Sequence, residues 1–415
     1  MLYYHLHLFI PNVLEARATK GLGNGYAFGD DFYPIWLTAR KWRAAHLDPY
    51  SPEMTRQIQL GLFGRALDAR NPTDPPVNYR EFAYPAFTEI LVEPASRLEF
   101  SKLRIVLAPV LSLLTALSLW LWMLAMRWRI SPLWFAVILL LTLCNYPVLE
   151  ALFAEQPGLI AGFLLSSALL ALARQRLLLA GVLLSLTLVK PQMTLLAIGY
   201  LLLWSASDRH RLKLWAGFLT TTLLLTCTSL YIWPHWIGRW IKVVLGYHRY
   251  ATPPLVTLLP GPTLGPYVGP VAIVGLLSTG GVLAWRNRRA VSDSLEFWLT
   301  LSLLLAITSV TLLPGQAIYD HIILIPGILL ILKYWRDLRP APRVRILLLL
   351  SAVVVCWQWV TAFAVILLHP ALSAERFASA ALPLPIRTAA SFPFAVLALL
   401  IYARRIIQTA AIEPS

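Results

Sequence analysis

The sequence predicts an all-α polytopic membrane protein, and three observations point there. Hydrophobic residues make up 58% of the 415 residues and charged residues only 13%, against about 25% charged in a soluble domain. Runs such as 105–126, 214–233 and 346–368 are apolar for long enough to cross a hydrocarbon core of about 30 Å as helices. The Lys and Arg residues behind the net charge of +15 gather in short loops between such runs, which is the topology signal of a membrane protein and not the footprint of a nucleic-acid surface. Membrane lipid is the expected surrounding, and nucleic acid is excluded as a partner.

From the start of the chain, residues 2–10 are too short for a span and are interrupted by His5 and His7, so neither a signal peptide nor a first crossing is read there. Residues 1–102 form a first region, charged, aromatic and broken by turn signals: Asp48-Pro49-Tyr50, Asn71-Pro72, Asp74-Pro75-Pro76 and Tyr84-Pro85. Between these turns, 35–45, 53–66 and 86–98 read as amphipathic helices resting at the membrane surface, and 234–245, with Trp236 and Trp240 against Arg239 and Lys242, reads as another. Residues 103–415 form the multi-span region.

The positive-inside rule assigns Arg127 with Arg129, Arg174 with Arg176, residues 209–213, 286–289 and 333–345, and Arg404 with Arg405 to one, cytoplasmic, face. Residues 1–102, the turn near Gln156 and Pro157, and segments 234–266, 314–319 and 369–385 then fall on the other. Two arms, 177–189 and 193–204, break the alternation, each being only about 20 Å long at 1.5 Å per residue. They predict a re-entrant hairpin with Lys190-Pro191-Gln192 at its tip, which leaves about nine full spans.

The candidates for chemistry lie on the outer side. Asp30-Asp31-Phe32-Tyr33-Pro34-Ile35-Trp36 sets two carboxylates just before a helix, where one can act as a general base; capping of that helix is the competing use of the same residues. Lys190 is a cation in the hydrocarbon zone, which calls for a phosphate partner or for a stem that snorkels to the headgroups. Gln316 and His321 stand at the outer end of a span, where His321 can donate to a phosphate or sugar oxygen or simply pair with Asp320. Glu150, Glu155 and Gln156 beside another outer span end either line a cavity or mark the headgroup level.

No Walker loop, HExxH, GxSxG or metal-spaced Cys and His cluster occurs, so no cofactor and no metal are expected. Cys144, Cys227 and Cys356 all fall in apolar runs and read as small packing residues.

The order of these pieces resembles glycosyltransferase family 87, membrane enzymes of the C superfamily that draw on polyprenyl-phosphate sugars. The pieces are Gly29-Asp30-Asp31-Phe32-Tyr33 with Trp36, Asp48-Pro49-Tyr50, Phe82-Ala83-Tyr84-Pro85, Gln156, Lys190-Pro191-Gln192, and 314–321. The resemblance implies a catalytic base at Asp31 with Asp30 as its alternate, donor-phosphate binding by Lys190, Gln192 and His321, and substrate contacts from Tyr33, Trp36, Tyr84, Gln156 and Gln316. It departs from the family pattern at Glu155, where a glycine is usual, at Ala86, where a second proline is usual, and in the first crossing that normally precedes the acidic loop.

The implied activity is an inverting hexosyl transfer, of mannose, from a polyprenyl phosphate to a lipid-linked or glycan acceptor, at the outer face of a bacterial inner membrane. A phosphate leaving group needs cations more than a proton, so one carboxylate base suffices, whereas a glycoside hydrolase generally needs two. A lipid or glycan transporter is the alternative, because broken helices with an intramembrane Lys also build transport sites. A structural subunit of an envelope assembly is a third reading, under which Asp31, Lys190 and His321 are individually replaceable.

Overall fold

A computed structural model of the protein describes residues 1–22, 29–338 and 342–410; of the basic clusters, Arg339 lies outside the described residues. Among the described residues every element is helical, apart from one isolated antiparallel bridge between Pro254 and Pro314.

Among the described residues five helices are long and apolar enough to cross a membrane: Phe100–Ala125, Arg209–Ile232, Gly261–Arg286, Arg345–Ala371 and Ala374–Arg404. Their outward faces carry bare apolar side chains such as Ile105, Leu224, Val271 and Leu349, a surface that hydrocarbon solvates and water does not. Pro132–Leu143 and Tyr146–Phe153 make a sixth crossing if their 62° bend is one broken span. The break falls where Pro147, lacking an N–H, cannot bond back to the Leu143 carbonyl.

The nine expected spans outnumber these. Pro157–Ala173 and Leu295–Thr311 have 17 residues each, about 26 Å of helix. The stretch between His321 and Lys333 is divided into a 3-10 turn, Ile318–Leu324, and a short helix, Ile325–Lys333. Leu295–Thr311 is nonetheless the centre of the molecule. Every residue from Phe297 to Thr311 is buried, the pattern of a helix apolar all round and enclosed by others.

Two of the short buried helices begin at a proline. Pro157–Ala173 is preceded by Gln156 in extended geometry (ψ 128°), and Pro191–Ala206 by Lys190 (φ −138°, ψ 71°). A proline is tolerated at the first helical position and drives the residue before it out of the helical region. The sequence thereby places two polar side chains at helix breaks inside an apolar bundle.

Before the first long helix, Tyr33–Ala45 and Pro52–Phe63 pack on each other through Ile35, Trp36, Met54, Ile58 and Leu62, and onto Phe100 and Leu103 at its base. Ser51 caps the second of these helices by accepting from Met54 N, and Gly64 closes it in the left-handed region at φ 74°. The expected helix over 86–98 is a helix Phe87–Val92 continued by a 3-10 turn Glu93–Arg97, and Trp236–Gly246 occupies the expected 234–245.

Residues 4–19, where the sequence predicts no span, are helical: a π-type stretch Tyr4–Phe9 runs into Ile10–Thr19. Tyr4 and Leu8 pack with Tyr146, Ala362, Val365 and Phe377, and the Tyr4 hydroxyl donates to the Leu382 carbonyl at 2.7 Å.

Candidate functional site

A cavity of about 810 Å³ opens where the N-terminal helix, the acidic loop, the two proline breaks and the 3-10 turn meet. Of the residues expected from sequence, Asp30, Asp31, Tyr84, Gln156, Lys190, Gln192 and Gln316 line it. Tyr33, Trp36 and His321 do not. Tyr33 and Trp36 are buried in the packing against Phe100, and Trp36 Nε1 donates to the Leu98 carbonyl at 3.0 Å. His321 is buried behind the lining, with no partner for Nδ1 among the described residues.

The acidic loop docks onto the turn after Phe153 through the backbone. Gly29 N donates to Phe153 O at 2.8 Å and Asp31 N to Ala154 O at 3.3 Å. Gly29 holds φ 77°, a conformation that favours glycine, and a Cβ there would press on the Glu155 carboxylate. Glu155, where the family usually has glycine, adopts φ 51°, and burial pushes its carboxyl up to about 7.

That docking sets Asp31 at one end of a continuous polar chain. Gln156 Nε2 donates to Asp31 Oδ2, and Gln156 Oε1 accepts from Lys190 Nζ at 2.8 Å. Lys190 Nζ also donates to Asp320 Oδ1 at 2.6 Å and sits 5.0 Å from the centre of the Tyr319 ring. A Cβ on Gly158 would come within 2.6 Å of Asp320 Oδ1, so a bare glycine at the second residue of the helix is what lets the Asp320 carboxylate approach. Asp320 therefore pairs with Lys190 and not with its neighbour His321, the pairing the sequence left open.

On its other oxygen Asp31 accepts from Arg80 Nη1, while Arg80 Nη2 donates to Asp30 Oδ2 at 2.8 Å and Arg17 Nη2 reaches the same oxygen at 3.3 Å. Burial pushes the Asp30 carboxyl up to about 6; Arg80 opposes that rise, Asp31 adds to it, and Arg17 opposes it more weakly. Arg80, at φ 71°, stacks 5.4 Å from the Tyr79 ring centre.

The chain Arg17, Asp30, Arg80, Asp31, Gln156, Lys190, Asp320 thus alternates donors and acceptors along one wall. Each carboxylate is held by a cation or an amide, and all three line the cavity. Gln316 is clipped by backbone exchange with Thr252, its Oε1 accepting from Thr252 N at 2.9 Å and its N–H donating to Thr252 Oγ1 at 2.7 Å. A second pair, His5 Nε2 and Glu150 Oε2 at 2.6 Å, stands in the same lining, with His5 stacked on Phe153.

Sequence reading missed Arg17, Arg80 and His5. Arg80 lies in a loop between turn signals, where an arginine reads as a solvated charge, and His5 was taken only as an interruption in a short apolar run. The signal available for both was an unsatisfied need: two adjacent acids and a Glu in an apolar chain each require a partner.

Among the described residues no group of three or more His, Cys, Asp or Glu side chains stands close enough to hold a metal ion. The arrangement offers an oriented carboxylate, Asp31, and a desolvated cation, Lys190, joined by one amide, which is the equipment for proton removal at one end of a cavity and anion binding at the other.

No curated protein and no solved structure matches the chain. The sequence model of one family, glycosyltransferase family 87, matches residues 82–314, more than half of the chain. The match takes in Tyr84, Gln156, Lys190 and Gln192; the acid pair precedes it, and Gln316, Asp320 and His321 follow it. With its membrane-crossing helices and this match, the chain belongs to glycosyltransferase family 87.

Proposed function

We propose that the protein moves a hexose, mannose, from a polyprenyl-phosphate sugar to a hydroxyl of a lipid-linked or glycan acceptor. The observation that carries this reading is the hydrogen-bonded line from Asp31 through Gln156 to Lys190 along one cavity wall. In the proposed step Asp31 takes the proton of the acceptor hydroxyl as its oxygen attacks the anomeric carbon. The bond from that carbon to the phosphate oxygen breaks, and its electron pair leaves with the polyprenyl phosphate. Lys190, with Gln192 beside it, offsets the charge of the departing phosphate, so no acid is needed to protonate it. A single displacement inverts the anomeric centre.

Gln156 couples the two ends: its N–H orients the base and its carbonyl orients the ammonium. Tyr84 and Gln316 meet the sugar from the lining, while Tyr33, Trp36 and His321 pack behind it. Asp30, held by Arg17 and Arg80, tunes Asp31 by its charge. The chain crosses a bacterial inner membrane nine times, with the arms Leu177–Val189 and Pro191–Ala206 entering and leaving on one side. The cavity then opens to the extracytoplasmic face, opposite the basic loops.

The test is reconstitution of the purified protein in lipid with radiolabelled polyprenyl-phosphate mannose and a total lipid and glycan extract, beside Asp31→Asn. Label passing to a new product only with the wild type supports the transferase. No transfer, with labelled lipid crossing the bilayer in both proteins, replaces it with a transporter.

A further inference from the structure

A second hollow, of about 660 Å³, opens beside the first cavity at the end of Leu212–Ile232 and the start of Trp236–Gly246. One helix divides the two spaces: Trp240 and Val244 line the first cavity, and Arg239, the residue before Trp240, lines the hollow. Nothing in the proposed transfer step uses it.

Its walls are aromatic. The rings of Trp42 and Trp233 meet edge to face at 5.1 Å, and Tyr231 is 91% exposed. Its polar groups are the ion pair of Asp48 with Arg239 and two imidazoles, His46 and His235. Both histidines hold left-handed backbone, His46 at φ 50° closing the helix Tyr33–Ala45 and His235 at φ 69° opening Trp236–Gly246. Besides glycine, Asn, Asp and His are the residues met most readily in that region. The two imidazoles come from two different segments and line one hollow. Trp233 Nε1, a buried donor in the same wall, has no partner among the described residues.

We propose that the hollow is a carbohydrate site that holds a sugar of the acceptor glycan away from the hydroxyl that reacts, an inference that rests on the transferase reading. A pyranose offers C–H faces to aromatic rings and hydroxyls to a carboxylate, a guanidinium and imidazoles, which both donate and accept. The lining of the hollow holds three aromatic rings, Trp42, Tyr231 and Trp233, and one ion pair, which suits a neutral sugar better than a phosphate. Consecutive Cα atoms are about 3.8 Å apart, so the linings of the two sites come within one residue of each other at Arg239 and Trp240, and an acceptor of several sugars spans both.

The test uses the full chain in detergent with Arg239→Gln and with His235→Asn, which keeps a residue at ease in the left-handed region. Equilibrium dialysis with tritiated mannotriose reads binding, and transfer is assayed with lipid-linked acceptors of one and of three sugars. Each variant is expected to weaken mannotriose binding and raise KM for the three-sugar acceptor about tenfold, the loss of one charge-assisted hydrogen bond. The one-sugar acceptor, the donor KM and kcat are expected to stay unchanged. Equal rises for both acceptors, or a fall in kcat, overturn the site in favour of a structural role. So does unchanged mannotriose binding, or binding of soluble phosphatidylglycerol that the variants lose while mannotriose is unaffected. If the wild type transfers nothing but loses mannotriose binding on substitution, the transferase reading fails and the carbohydrate site stands; if transfer proceeds and binding does not move, the site fails alone.

Discussion

Two ion pairs in this molecule differ little in length and greatly in surroundings. Lys190 and Asp320 approach to 2.6 Å with side chains 5% and 1% exposed, while Arg127 and Asp293 approach to 3.0 Å with side chains 71% and 41% exposed. The second lies between basic loops, where water and salt screen it and the pair contributes little. The first is held in an apolar bundle by two helix breaks, and either charge without the other would be an uncompensated ion in low dielectric. Separation alone therefore says nothing about importance; burial decides it.

The largest effect expected from breaking the buried end is catalytic. Asp31→Asn keeps the size and, with its single accepting oxygen, one of the two contacts with Arg80 and Gln156, but removes the base, and transfer should fall about 10³-fold with the protein still folded. A wild-type rate in this variant would show that the buried chain is structural after all.

Lys190→Met strips the cation from Asp320 and should lower stability by about 3–5 kcal/mol, read as thermal unfolding in detergent. The double variant Lys190→Met with Asp320→Asn should recover most of that stability and none of the transfer. Recovery of both would move Lys190 out of donor binding.

Asp30 sharpens the comparison through pH. Its folded pKa, about 6, lies above the ordinary 3.8, so its contribution to stability is present below the ordinary value and is lost as pH rises through about 6. Between pH 4 and 6 the wild type should lose thermal stability relative to Asp30→Asn; parallel curves for the two proteins would mean that Arg17 and Arg80 cancel the effect of burial.

The smallest effect belongs to the exposed pair. Arg127→Gln should change stability by less than about 1 kcal/mol and leave transfer unchanged, and a larger loss would erase the contrast between the two ends.

The parts of the site that were legible in sequence are those written as local grammar. Gln156 and Lys190 each stand directly before a proline, which forces them off a helix wherever the rest of the chain folds. Asp30 and Asp31 announce themselves as adjacent acids before Pro34. The nine-span reading goes further than the five or six crossings that helix length supports among the described residues, because hydropathy marks an apolar run without fixing how much of it is one helix; 295–311 reads as a span and gives a helix of 17 residues. Arg80, Asp320 and His5 were illegible as partners for a different reason. Their contacts join residues separated by 49, 130 and 145 positions, and no periodicity or spacing rule carries such information.

The contact between Tyr4 and Leu382 has a consequence in time. The two residues are 378 positions apart, and at about 5–20 residues per second a ribosome takes roughly 20–75 s to lay down the chain between them. The contacts of the helix carrying His5 therefore form in two stages. Those with Glu150 and Phe153 are available early in synthesis, and the one with Leu382 closes near its end.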